Sequence, residues 1–153
     1  MDIDSGNLFK AGWVPSLSRS EHAARRRFAE VIARDPIDLD VAALLISAEE
    51  SEADVVAVGL ARLDAMADDL RPRILEADSA LRRLEVLIEY LFVECRFAGN
   101  EEDYYDPRNS YLDEVIERRR GIPISLGVLV KEVGRRVDIP LEGVSFPVHF
   151  LLR

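Results

Sequence analysis

Apolar residues recur every three or four positions over most of this chain, which is the spacing of amphipathic helices. After an irregular leader at 1–17, broken by glycine and proline, the pattern predicts three helices. They begin near Ser18 or Ser20, near Asp38 or Asp40, and near Asp54. Pro72 is expected to end the third of them, because proline cannot continue the backbone hydrogen-bond ladder.

The longest and most apolar stretch follows Ser79, which is a good residue for the start of a helix. Its predicted buried stripe is Leu81, Leu84, Leu87, Ile88, Leu91, Phe92 and Cys95. We expect Cys95 on this stripe to be a small core residue and not a reactive thiol. Gly99 is placed to end the helix in the left-handed conformation.

The last third of the chain contains strand-forming segments as well as predicted helices. A polar loop at 98–110 is followed by a predicted helix, Tyr111 to Arg120, with Asn109 or Ser110 as its cap. Gly121 and Pro123 separate it from a second helix, Ser125 to Asp138. The segments 141–146 and 148–152 are rich in strand-forming residues and too short for helices. Helices followed by strands indicate an α+β fold that is mostly helical.

Composition places the chain among globular proteins. Its 153 residues are 48% hydrophobic and 32% charged, which suits a single domain from 18 to 153. Within it, 18–99 is the helical part and 100–153 begins a second part that carries the strands. The single cysteine, the acidic start MDIDSGNLFK and the absence of an apolar run of ~20 residues favour a cytoplasmic protein that does not cross a membrane.

The net charge of −9 is unevenly distributed. Between Asp38 and Leu70, nine acids and one base give a charge of −8. Such a surface repels phosphate backbones, so we expect no nucleic-acid partner. The acids of the 98–110 loop match no calcium-binding pattern, and the sequence has no glycine-rich phosphate loop. No metal and no cofactor is expected.

Two residues could carry chemistry. Ser125 falls on the first turn of a predicted helix, and His149 lies on the second predicted strand. A helix N-terminus carries about half a positive charge and can activate a nucleophile, with histidine as the base. The structural alternative makes Ser125 a helix cap that accepts a backbone N–H two or three residues further on. For His149 the alternative is a histidine with local hydrogen bonds on a half-buried strand.

The run NSYLDEVIERRRGIPISLGVLVKEVGRRVDIPLEGVSFPVHFLLR closely resembles the SirB1 family, whose shared region is a transglutaminase-like domain. The upstream segments YYDPRNS and IDLDVAALLISAEE also look like that family. The resemblance implies an N-terminal helical bundle that leads into a truncated transglutaminase-like, or papain-like, core of helix and sheet. Family members are longer, so the chain is expected to hold their N-terminal part and to leave a sheet edge unpaired.

By this resemblance, Ser125 occupies the position of the transglutaminase cysteine, and His149 that of the base. The acid that orients the base has no counterpart, because only 150–153 follow. Serine is also the usual residue of the family here. An alkoxide is much harder to form than a thiolate, so both residues are vestigial or candidate catalytic residues only. Tyr105, Asn109 and Arg120 are the candidate residues lining the remnant cleft.

Three functions remain open at this point. The favoured one is a non-catalytic, transglutaminase-like module that binds a protein or peptide, or that regulates. The second is a Ser–His hydrolase or acyl transferase completed by residues beyond this chain. The third is an acidic helical scaffold that recruits a basic partner. The unpaired sheet edge also predicts association between copies of the chain.

Overall fold

The structure, a computed structural model, describes residues 19–49, 54–146 and 149–152. The predicted leader at 1–17 lies outside the described residues. The helices and strands follow one another as α1 (Arg19–Ile32), α2 (Leu39–Ser47), α3 (Val55–Glu76), α4 (Ala80–Ile88), β1 (Ala98–Gly99), α5 (Leu112–Arg118), β2 (Arg120–Gly121), α6 (Pro123–Arg136), β3 (Gly143–Phe146) and β4 (His149–Leu152). The predicted α+β fold, mostly helical, is confirmed.

Two of the predicted helix starts carry side-chain caps. Asp54 accepts the backbone N–H of Ala57 across 3.2 Å before α3, and Ser79 accepts that of Arg82 across 3.2 Å before α4. Each cap satisfies one of the backbone donors that the first helical turn leaves without a partner. Both starts are therefore confirmed at the residues that the sequence indicated.

The predicted end of α3 at Pro72 is wrong, since the helix runs through this proline to Glu76. Proline removes the hydrogen bond to the carbonyl of the residue four positions earlier, here Asp68. Asp68 is exposed, so water can reach that carbonyl. Leu70 and Ile74 on either side are buried in the core and hold the turn in place.

The core is formed where α6 packs against α2, α3, α4 and α5. Its fully buried side chains are large aliphatic residues contributed by all five helices. Removing such groups from water is the main stabilising term for a domain of this size. The principal members are Leu44, Leu63, Leu70, Leu87, Leu91, Leu112, Val115, Leu129 and Val133.

One corner of this core is ionic. Asp40 on α2 and Glu132 on α6 are both almost fully buried. Arg136 binds Asp40 across 2.6 Å and Asp64 of α3 across 2.7 Å, while Arg135 binds Glu132 across 2.8 Å. Buried charges are tolerated only when they are paired in this way. The network therefore joins α2, α3 and α6 at one point.

The end of α4 differs from the prediction. From Glu89 to Glu94 the backbone widens into a π-helical turn, in which Cys95 N donates to Tyr90 O across 2.8 Å. Arg96, with φ of 60°, ends the helix in the left-handed region, and Gly99 belongs to β1 instead. The predicted apolar stripe is only partly buried, because Leu81 and Ile88 are exposed and Cys95 is half-buried.

The strands form two small sheets in the described part of the chain. β1 and β2 pair in parallel, with Ala98 opposite Arg120 and Gly99 opposite Gly121. β3 and β4 form an antiparallel hairpin close to the two predicted strands. Pairing of another chain with a free edge of this hairpin stays a prediction. No described helix is both long and apolar enough to cross a membrane.

Candidate functional site

Ser125 is the third residue of α6, after Pro123 at the first helical position. Its side chain is buried, with 6% of the residue exposed. The hydroxyl oxygen lies 2.6 Å from the backbone oxygen of Asn109 and 3.0 Å from that of Ile122. The backbone N–H of Ile122 donates to the same hydroxyl across 3.1 Å. The Ser125 side chain is thus enclosed by backbone groups.

These contacts change the role expected for Ser125 as a cap. The N-cap residue is Ile122, because Pro123 starts the helix two residues before the serine. Ser125 therefore accepts an N–H from three residues earlier, as the third residue of a capping box does, and not from residues further on. The predicted bond to the backbone is present, but its direction along the chain is reversed.

Gly121 makes room for this arrangement. A Cβ atom built at Gly121 would lie 2.7 Å from the Ser125 hydroxyl oxygen and 3.1 Å from a methyl carbon of Val115. Any other residue at this position would push the serine away from its partners. The glycine of the GIPIS run is needed for close packing at the start of α6.

Asn109 connects the serine to the preceding loop. The residue is fully buried. Its side-chain amide donates to the backbone oxygens of Asp103 and Tyr104 across 2.8 and 3.2 Å, and its side-chain oxygen accepts from Asn100 across 3.0 Å. Its own backbone oxygen accepts from Ser125. The candidate cleft residue Asn109 thus lies behind the surface and holds the loop 100–106 against α6.

In front of this loop lies an open depression of about 610 Å³, which we call the loop groove. One part of its lining is the loop from Asn100 to Asp103, which we call the acidic wall. The other part, which we call the arginine wall, carries Arg108, Arg118 of α5 and Arg120 of β2. The groove adjoins the turn that holds Ser125, but Ser125 itself does not line it. The lining residues are Ala98, Gly99, Asn100, Glu101, Glu102, Asp103, Asp106, Arg108, Arg118 and Arg120.

Asp106 organises the arginine wall. Its carboxylate is buried and lies 2.8 Å from Arg108 and 3.1 Å from Arg118. The hydrogen bond from Arg108 is the main cause that lowers the pKa of Asp106, and the charge of Arg118 adds to it. Nη1 of Arg118 is buried and has no hydrogen-bond partner among the residues that the structure describes.

The two other candidate cleft residues are placed differently. Arg120 lines the loop groove, and its guanidinium donates to the backbone oxygens of Arg96 and Arg119 across 3.2 and 3.0 Å. Tyr105 is 91% exposed and packs edge-to-face on Tyr104, with ring centroids 5.4 Å apart. Tyr105 is outside the lining of the groove, next to its acidic wall.

The position of His149 is described for its backbone only. It pairs with Phe146 across the β3–β4 hairpin, and β4 lies against α6, the helix that carries Ser125. The histidine side chain lies outside the described residues. A catalytic pairing of Ser125 with His149 therefore stays a prediction.

Cys95 lies in a separate hollow of about 440 Å³, together with Tyr90 and Arg119. The phenol of Tyr90 donates to Asp69 across 3.4 Å, and burial is the main cause that raises its pKa. Cys95 is half-buried, and its backbone oxygen accepts from Arg119. Cys95 thus lies outside the lining of the loop groove.

Only part of the loop groove can be predicted from local sequence patterns. Asp106 precedes a proline, an arrangement that favours a turn, and its carboxylate accepts the backbone N–H of Arg108 across 3.0 Å. Its pairing with Arg118, twelve residues further on, could not be read from spacing. The roles of Asn100 and Asp106 were missed for this reason.

The sequence matches a known protein superfamily over more than half of the chain. The model of the transglutaminase-like superfamily matches residues 58–153, which include α4–α6 and all four strands. The chain therefore belongs to the transglutaminase-like superfamily.

The chain is similar in sequence to UPF0162 proteins and to an F-box protein. A UPF0162 protein of Xylella fastidiosa is 51% identical over 84 residues, which cover 55% of this chain and 30% of that protein. A UPF0162 protein of Pseudomonas aeruginosa is 36% identical over 129 residues, covering 84% of this chain and 47% of the relative. F-box only protein 21 of Mus musculus is 42% identical over 80 residues, 52% of this chain and 13% of that protein.

The chain thus spans less than half the length of these curated relatives. No solved structure matches it.

Proposed function

We propose that this chain is a non-catalytic transglutaminase-like domain of the SirB1 type, and that it acts by binding a protein or peptide. The observation that carries the proposal is the environment of Ser125. Its hydroxyl is buried and is engaged by three backbone groups, at 2.6, 3.0 and 3.1 Å. A nucleophile needs instead an accessible oxygen and a base that can take its proton.

The same contacts oppose ionisation of the serine. The two oxygens nearest to the Ser125 hydroxyl are the carbonyl oxygens of Asn109 and Ile122. Neither can act as a general base at neutral pH, and both carry negative partial charge. An alkoxide at this position would be repelled by them over short distances in a buried site. Only the N–H of Ile122 would stabilise it.

The acidic scaffold has weaker support than the sequence suggested. The acids of 38–70 are partly neutralised within the fold. Asp40 and Asp64 are paired with Arg136, and Glu49 is paired with Arg25 at 3.1 Å. Fewer free charges therefore remain on α2 and α3 than the formal count of −8 implies.

The catalytic alternative is tested by a fluorophosphonate probe, which phosphonylates activated serines irreversibly with loss of fluoride. We expect no labelling of Ser125 under conditions in which a serine protease is labelled completely. Ser125→Ala and His149→Ala should give the same background signal as the natural sequence. Labelling that is present in the natural sequence and lost in both variants would overturn the non-catalytic assignment and favour the hydrolase. Binding of a peptide is tested by a separate experiment with labelled peptides.

A further inference from the structure

The acidic wall of the loop groove carries charges that the fold does not use. Glu101, Glu102 and Asp103 are exposed, and none of them forms an ion pair with another described residue. They differ in this respect from Asp40, Asp64 and Asp106, which are held by arginines. These three carboxylates are therefore free to meet a partner's charge.

The arginines of the opposite wall are already engaged. Arg108 and Arg118 bind Asp106, and Arg120 is bound to backbone oxygens. Nη1 of Arg118 has no acceptor among the described residues, but it is buried and so does not face a partner. The groove thus offers free acceptors on one wall, while the charges of the other wall are already engaged within the fold.

The acidic wall is held in a fixed shape. Asn109 bonds to the backbone at Asp103 and Tyr104, and Asn100 accepts the N–H of Asp103 across 3.2 Å. The exposed pair Tyr104 and Tyr105 follows the acids directly. Aromatic faces beside carboxylates attract lysine and arginine side chains through cation–π contacts. A wall that is already ordered also reduces the entropy lost on binding.

We propose that the loop groove binds an extended peptide segment bearing lysine or arginine side chains. Its basic side chains meet Glu101, Glu102 and Asp103, beside the exposed rings of Tyr104 and Tyr105. A groove of about 610 Å³ has the size of typical ligand sites. The acids at the rim repel phosphate, so a nucleic acid does not suit this surface. This inference rests on the proposed function and names the chemistry of the partner.

The test uses fluorescein-labelled heptalysine and heptaglutamate peptides, with binding followed by fluorescence anisotropy. The ionic strength is about 0.05 M, where exposed charges are weakly screened. We expect saturable binding of heptalysine and none of heptaglutamate. The triple variant Glu101→Gln, Glu102→Gln, Asp103→Asn should bind heptalysine roughly tenfold more weakly, as the loss of three exposed charge pairs implies.

The matched control is the triple variant Glu30→Gln, Glu76→Gln, Glu89→Gln. It removes the same net charge from exposed residues far from the groove lining, and it should keep the natural affinity. Tyr105→Ala provides a second variant that changes no charge, and its affinity should fall by roughly threefold. Circular dichroism checks that every variant is folded.

Equal weakening in both triple variants would overturn the proposal, because binding would then follow net charge alone. So would undetectable heptalysine binding, or preference for heptaglutamate. None of these outcomes would support the Ser–His hydrolase hypothesis, which the fluorophosphonate experiment tests independently. Conversely, labelling of Ser125 together with groove-dependent heptalysine binding would reject the non-catalytic assignment and retain the basic-peptide groove.

Discussion

The hydroxyl of Ser125 lies 2.6 Å from the backbone oxygen of Asn109, sixteen residues earlier in the chain. This hydrogen bond joins the first turn of α6 to the residue that holds the loop 100–106. Ser125, which the sequence resemblance aligns with the nucleophile of transglutaminase-like enzymes, thus forms structural hydrogen bonds in this chain. The same bond connects the serine to the proposed peptide groove.

Removing this hydroxyl should destabilise the fold. Ser125→Ala removes the bonds of the hydroxyl to the backbone N–H of Ile122 and to the backbone oxygen of Asn109, which then keep only their long bond to each other, at 3.4 Å. We expect the free energy of unfolding to fall by about 1–3 kcal/mol in urea denaturation. The control is Ser110→Ala, at an exposed serine, which should change it by less than about 0.5 kcal/mol. Equal stability of both variants would show that the Ser125 bonds contribute nothing.

Gly121→Ala should be destabilising because the added Cβ would lie 2.7 Å from the Ser125 hydroxyl oxygen. We expect a loss of about 1–3 kcal/mol in unfolding free energy. In the double variant with Ser125→Ala the clash is relieved, so the two losses should not add. Gly99→Ala is the matched control, since a Cβ there meets nothing within 4 Å. Strict additivity in the double-mutant cycle would argue against this packing.

The ionic corner gives a third prediction. Asp40→Ala removes the buried carboxylate closest to Arg136, whose side chain is only 12% exposed and which keeps Asp64 and Glu132 as partners. Because those partners remain, we expect a loss of about 1.5–3 kcal/mol of unfolding free energy, as for a buried hydrogen bond to a charged group. Asp38→Ala removes an exposed pair with Arg34 and should cost at most about 1 kcal/mol. Comparable losses from the two variants, measured by thermal or urea unfolding, would contradict the assignment of Asp40 to the core.

Asp106 should make the stability depend on pH. Arg108 and Arg118 lower its pKa in the folded state, so the folded carboxylate holds its proton less tightly than the unfolded one. Its stabilising effect is fully present above the unfolded-state pKa of about 4 and is lost as the pH falls through the lower folded-state pKa. Asp106→Asn should therefore lose less stability than the natural sequence below about pH 4. Parallel curves for the two proteins would be inconsistent with the ion pairs.

The sequence predicted those features that depend on local pattern. The recurrence of apolar residues every three or four positions predicted the helices, and Asp54 and Ser79 predicted two of their starts. The run GIPIS located the start of α6, because glycine and proline interrupt a helix in recognisable ways.

The errors arose where tertiary contacts override local preference. Pro72 lies inside α3 because buried residues on both sides hold the helix together. Gly99 does not end α4, since the π-helical turn brings the chain into a left-handed residue at Arg96. Neither Asn109 nor Ser110 is the N-cap of α5 as predicted. The residue before the helix is Tyr111, whose side chain forms no capping bond, and the Asn109 side chain donates instead to the backbone of the loop.

The kind of hydrogen bond that Ser125 forms was predictable from the sequence, but the residues with which it bonds were not. The sequence indicated that the Ser125 hydroxyl could bond to backbone, which it does. Its partner Asn109 and the pairing of Asp106 with Arg118 come from the packing of α5, α6 and the loop, which no local spacing encodes.

The most direct test of the central claim replaces the serine by a thiol. Ser125→Cys in a Cys95→Ser background leaves one cysteine in the chain, at the position that the sequence resemblance aligns with the transglutaminase nucleophile. We predict that this buried thiol has a pKa at or above the ordinary value of about 8.5 and reacts with a disulfide reagent roughly 100-fold more slowly than in urea. A pKa below about 7, with faster reaction in the folded state than in urea, would contradict the account.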